Sequence, residues 1–135
     1  MLSYLRYYKN TILGNNPDMK NETPGIFELH ANFCKCLSNP IRLLILNVLA
    51  KGEKSVGELA EASGVTLANI SQHLTVLRSQ NIVTRRKEGQ TVYYSITDTR
   101  LIDACDLIRS VLLDGMKRQG IIASGMDIKS PATKM

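Results

Sequence analysis

Residues 64–78, GVTLANISQHLTVLR, read as a short helix opened by Thr66 and carried by Val65, Ile70, Leu74 and Leu77. Those apolar residues fall at the spacing that turns one side of an α-helix toward a core. The other side carries Thr66, Asn69, Ser71, Gln72, His73 and Thr75 and holds no acidic residue. A polar helix face taken alone is most simply a solvated one. What flanks it decides otherwise.

Upstream, SVGELAEAS places Ser55 three residues before Glu58, the pattern of a capping box at a helix start. That segment ends at Gly64, which can adopt a positive φ, and the quoted helix begins two residues later. Two short helices joined by a glycine-containing turn make a helix-turn-helix. Before them, IRLLILNVLAKG follows Pro40 with a stripe of Ile41, Leu44, Ile45, Val48 and Leu49, and Gly52 is its expected stop. An earlier helix, IFELHANFCKCLS, is closed by Asn39 and Pro40. Downstream the period changes. IVTRRKEGQTVYYSI alternates around Ile82 to Thr84 and again at Val92, Tyr94 and Ile96, a β-hairpin turned at Gly89 with a charged tip. The last helix, DTRLIDACDLIRSVLLDGMKR, spaces Leu101, Cys105, Ile108 and Leu112 by four, three and four residues, a seam that needs a partner.

The chain of 135 residues suffices for one compact domain, expected over residues 25–120. Residues 1–24 read as an N-terminal extension in which LSYLRYYKNTIL can form a short amphipathic helix, and residues 121–135 as a disordered tail. Seventeen basic against twelve acidic side chains give a formal charge of +5, which favours a polyanionic partner. No apolar run approaches the ~20 residues needed to span a bilayer, so no membrane partner is expected. The opening MLSYLRYYKN is too polar for a secretory signal. Three cysteines without a scaffold pattern read as reduced thiols, and the cytoplasm is the expected compartment.

A helix-turn-helix followed by a basic hairpin is a winged helix: mainly α with a small β-hairpin. Its second helix enters a major groove, where hydroxyl, amide and imidazole groups meet base edges and carboxylates would repel phosphates. Double-stranded DNA is preferred over RNA because two Phe and no Trp make no stacking platform. The expected contact set is Thr66, Ala68, Asn69, Ser71, Gln72, His73 and Thr75 on the helix, with Arg85, Arg86, Lys87 and Gln90 near the hairpin tip. Asn69 and Gln72 suit bidentate contact with adenine, and the hairpin cations suit the phosphate backbone. Two histidines, His30 and His73, and the lack of any nucleophile, H-E-x-x-H or phosphate-cradling motif argue against an enzyme.

Residues 36–96 resemble the ArsR/SmtB family of bacterial and archaeal transcriptional repressors, most tellingly in LSNPIRLLIL, SVGELA, ISQHLTVLR and GQTVYYSI. Leu67 departs from the polar residue usual at its position. The resemblance implies a homodimer that sits on a palindromic operator and lets go when an effector binds. It also implies that the terminal helices form the dimer interface, which fits Leu101, Cys105, Ile108 and Leu112. One family metalloid site uses a Cys-x-Cys on the helix that here reads SVGELAEA, without cysteine. A zinc site draws on terminal helices, where Asp98 matches one ligand but Arg100, Val111 and Asp114 stand near the others' places.

The cysteines present are Cys34, Cys36 and Cys105. Side chains two apart on a helix point about 200° away from each other, so Cys34 and Cys36 cannot clasp one ion while helical. They can be packed core thiols, in which case the chain is an effector-independent winged-helix or architectural protein. Alternatively one or both pair with Cys105. Three thiolates suit arsenite, antimonite or a thiophilic divalent metal; two suit a redox or reactive-sulfur switch. His30, one turn before Cys34, is a further candidate ligand.

Overall fold

The computed structural model describes residues 25–120. The expected extension with its short helix and the expected tail lie outside the described residues. Helix α1 (Ile26–Leu37) is followed by α2 (Pro40–Leu49), a two-residue strand β1 (Lys54–Ser55), α3 (Val56–Ser63), α4 (Leu67–Ser79), strands β2 (Val83–Glu88) and β3 (Thr91–Ile96), and a long α5 (Arg100–Arg118).

Each boundary has a local cause. Asn39 Oδ1 accepts the backbone N–H groups of Ile41 (2.9 Å) and Arg42 (3.1 Å), while Pro40 occupies the first turn, where its missing N–H costs nothing. The capping box opens α3: Ser55 Oγ accepts from Glu58 N (3.1 Å), and Ser55 N donates back to Glu58 Oε1 (3.2 Å). Gly64 closes that helix at φ +67°, so the chain can reverse without a Cβ clash. Thr66 then caps α4 by accepting from Asn69 N at 3.3 Å. At the far end Asn81 takes the left-handed conformation (φ 57°) and the Ile82 N–H reaches back to Leu77 O (3.0 Å), turning the chain into the hairpin.

The core is drawn from every element but β1. Ile45, Leu46, Leu59, Ile70, Leu74, Leu77, Ile82 and Val83 are all essentially inaccessible. At ~1.5–3 kcal/mol for each fully buried aliphatic side chain, this cluster is the main opposition to chain entropy. Leu46 lies off the expected stripe of α2 and is buried nonetheless. Helix α2 touches α1, α3, α4 and β3, so more than one of its faces is covered.

The sheet has the order β1–β3–β2, all antiparallel, with Arg85 opposite Tyr94 and Glu88 opposite Thr91. The hairpin turn is Gly89–Gln90. Gly89 has φ +60° while Asn81 is the only non-glycine with positive φ among the described residues, so only the first central position is left-handed. That is the type II′ arrangement, which matches the right-handed twist of the strands and calls for glycine there. Strand β1 was not expected. It consists of the residue before the α3 cap and the cap itself, too short to leave a period.

The expected seam on α5 divides. Cys105 is buried, and Leu101 is partly buried beside Ile102 against the chain's own core. Ile108 and Leu112 remain 65% and 59% exposed, joined by Leu107 and Val111 at 66% and 64%. The outward stripe is therefore Leu107, Ile108, Val111 and Leu112, displaced from the one read by spacing alone. Among the described residues, no helix is long and apolar enough to cross a membrane.

Candidate nucleic-acid interface

Helix α4 inserts Ile70, Leu74 and Leu77 into the core and leaves Thr66, Leu67, Ala68, Asn69, Ser71, Gln72 and Thr75 exposed. The described face thus holds the expected polar residues together, with Leu67 (57% exposed) as an apolar neighbour at its N-terminal end. Thr75 is partly engaged, its hydroxyl donating to Ser71 O at 2.9 Å. His73 is only half exposed, with Nδ1 3.4 Å from Arg42 Nη1. A guanidinium only donates, so Nδ1 accepts and the ring proton resides on Nε2. Burial first, and the Arg42 charge second, hold His73 below its ordinary pKa, which favours the neutral ring.

The hairpin separates its three cations. Arg85, Arg86 and Lys87 lie in the outer part of β2, which ends at Glu88 beside the turn, and Gln90 is exposed in the turn itself. Arg86 is occupied. It grips both carboxylate oxygens of Glu53 (2.6–3.0 Å) and donates to Glu88 Oε2 (2.7 Å), and its guanidinium lies 4.6 Å from the centre of the Tyr93 ring. Those hydrogen bonds hold the Glu53 carboxyl below the usual range. Glu53 precedes β1, so the clasp ties the hairpin to the loop after α2. Arg85 and Lys87 carry no such ties among the described residues and are the candidate cations for phosphates. Arg85→Ala and Lys87→Ala are each expected to lower the slope of log affinity against log salt by about one. Arg86→Ala should leave that slope near the parent value, as fluorescence anisotropy across a salt series would read.

The three cysteines do not converge. Cys36 is buried, and its thiol donates weakly to Val76 O in α4 at 3.7 Å. Cys34 is exposed, yet it lines the same groove as the buried Cys105. Burial pushes both the Cys36 and Cys105 thiols above their ordinary values. No group of three or more His, Cys, Asp or Glu stands ready to hold a metal among the described residues, and His30 is exposed. Asp98 is engaged by Arg100, whose backbone N–H (3.0 Å) and guanidinium (2.7 Å) hold its carboxyl at about 2. Sequence reasoning missed Arg42, which donates through Nε to Cys36 O (2.5 Å) while reaching His73. The one signal was a lone cation inside an apolar run.

The profile of the bacterial regulatory protein arsR family matches residues 39–85, which include α2, α3, α4 and the start of the hairpin. The nodulation protein NolR of Rhizobium meliloti is 48% identical over 68 residues, a match covering 50% of this chain and 56% of that protein. An HTH-type transcriptional regulator of Mycobacterium tuberculosis, Rv0081, is 36% identical over 92 residues, covering 67% of this chain and 81% of its own length. The homodimeric winged helix-turn-helix DNA-binding domain Mb0332 of Mycobacterium bovis superimposes with a TM-score of 0.63 at 32% identity, over 69% of this chain and 86% of that domain. Fold, exposed α4 face and family profile agree: this chain belongs to the arsR family of bacterial regulatory proteins and is a winged helix-turn-helix DNA-binding regulator of transcription, not an enzyme.

Proposed function

We propose that the chain is a homodimeric repressor that occupies a palindromic operator and is released when an effector acts on Cys34 and Cys105. The observation that carries the dimer is the outer face of α5, where Leu107, Ile108, Val111 and Leu112 are each 59–66% exposed. A contiguous apolar stripe of this size marks an interaction surface, and self-association buries it with two-fold symmetry. Two copies of α4 so related meet successive major grooves, which is why the operator reads as a palindrome. Repression follows from occupying DNA that polymerase must use.

The shared groove of Cys34 and Cys105 supports a thiol effector, and the placement of Cys36 in the core favours two thiols over three. Two thiols suit a redox or reactive-sulfur switch: a sulfur–sulfur bridge forms as two protons leave and two electrons pass to peroxide or a sulfane-sulfur donor. Arsenite, antimonite or a thiophilic divalent metal would need a ligand beyond these two. Transmission has a route. Helix α1 carries Cys34 and is tied to α4 through Cys36–Val76 and through Arg42, which bridges Cys36 O and His73. A coupling of ~1–3 kcal/mol changes DNA affinity by one to two orders of magnitude.

The test is a mobility-shift titration on the chain's own upstream DNA with peroxide, persulfide, arsenite or zinc added. Release by the sulfur oxidants in the parent but not in Cys105→Ser is expected. No retarded band at low salt overturns the repressor reading; identical behaviour of Cys105→Ser under every agent overturns the thiol effector.

A further inference from the structure

The groove that holds Cys34 and Cys105 is much larger than a sulfur bridge or an ion requires. It has a volume of about 570 Å³ and is walled by Leu37, Ile41, Leu44 and Ile108 besides the two thiols. Sites for organic ligands span roughly 300–1,000 Å³ and are mostly apolar with few polar groups. A bound water takes only ~30 Å³. The spare volume and its lining describe an organic body, and a thiol at its edge describes what that body carries.

We infer that this groove admits an apolar electrophile, an α,β-unsaturated carbonyl compound attached to an aromatic or aliphatic group, and that Cys34 is the residue it alkylates. This rests on the part of the reading above that makes Cys34 an effector thiol, and it does not need the bridge to Cys105. Cys34 is exposed at the groove while Cys105 is 94% shielded, at 6% exposure, so approach selects Cys34. Burial keeps the Cys105 thiol protonated, and the thiolate is the nucleophile. Cys36 belongs to the core cluster and is not part of the groove.

The step balances without an oxidant. Cys34 gives its proton to water, and the thiolate lone pair forms a C–S bond at the β-carbon. The C=C π pair moves through the carbonyl as an enolate, which takes a proton back from water. Nothing is oxidised overall and no group leaves. The adduct's apolar part then lies against Ile108, which is also in the outward stripe of α5. Alkylation therefore alters the surface proposed to pair two copies, as well as the helix tied to α4.

The experiment compares two maleimides of equal intrinsic reactivity, N-methylmaleimide and N-benzylmaleimide, on the full chain. Modification rates are read by intact mass, assigned by peptide mass, and divided by each reagent's rate with free glutathione. The benzyl compound is expected to modify Cys34 about ten-fold faster after that correction, the gain from burying a phenyl ring. Cys34→Ser should abolish the fast phase. Asn47→Trp, a groove-lining but exposed position on α2, should return the ratio to about one by filling the space. A ratio near one in the parent, modification first at Cys36 or Cys105, or a ratio indifferent to Asn47→Trp overturns the inference. A ratio that falls as protein concentration rises through the dimer range also overturns it, because a second copy then fills the groove. Failure of sulfur oxidants to release DNA, with the ten-fold ratio intact, counts against the two-thiol switch instead.

Discussion

Asn69→Ala combined with Gln72→Ala is expected to erase operator discrimination while leaving DNA binding as such in place. Both residues are exposed on the core-opposed face of α4, and amide side chains pair bidentately with adenine N6 and N7. Each such pair is worth ~1–3 kcal/mol of preference for the right base, so the double variant should lose roughly two to four orders of magnitude of specific affinity. Binding to unrelated duplex, expected to draw on phosphate contacts from Arg85 and Lys87, should change little. Anisotropy titrations on operator and scrambled duplexes at one salt concentration give both numbers. Intact discrimination in the double variant would move base reading elsewhere, to the hairpin or to Leu67 and its neighbours.

The second large effect concerns pairing. Leu107→Asp with Val111→Asp places two carboxylates per chain in the stripe that a second copy would cover. Burying even one unpaired charge costs several kcal/mol, so association at micromolar concentration should be lost outright. A single subunit holds one half-site, and operator affinity should fall by at least about a hundred-fold. The choice of residues is diagnostic. Neither lies on the seam that spacing alone suggests, whereas Leu101→Asp, partly buried against the chain's own core, should unfold the subunit instead. Sedimentation velocity and thermal unfolding separate the two outcomes. Solution scattering that showed the parent chain as a lone subunit while bound tightly to DNA would refute the paired arrangement.

The divided seam shows what a sequence can and cannot convey. Periodicity placed Leu101, Cys105, Ile108 and Leu112 on one stripe, and geometrically they are. What covers a stripe is a tertiary matter. The first turns of α5 lie on the chain's own core, and the later ones do not. The short-range devices were all legible, because each is completed within a few residues: Asn39 and Pro40 at α2, Ser55 with Glu58 at α3, Gly64, Thr66 and Gly89. Features built by residues far apart in sequence were not. In the sequence Arg86 is one of three adjacent cations, and nothing local marks that its guanidinium grips Glu53, 33 residues away. Spacing shows that Cys34 and Cys36 diverge, but only tertiary contacts decide which turns to the core, where Cys36 meets Val76, and which to the groove it shares with Cys105. Leu46 was missed because a single-stripe reading assumes one covered face, and α2 has several.

The outward half of α5 has a consequence for how the molecule comes into being. An isolated helical segment of this length is marginal in water, and most of its stability must come from what it packs on. Its later turns carry the exposed Leu107, Ile108, Val111 and Leu112, so in the proposed homodimer a second chain would stabilise them by an amount that grows with protein concentration. The cellular abundance of the polypeptide then tunes how much regulator is competent, and dilution would silence it before any chemical signal arrives.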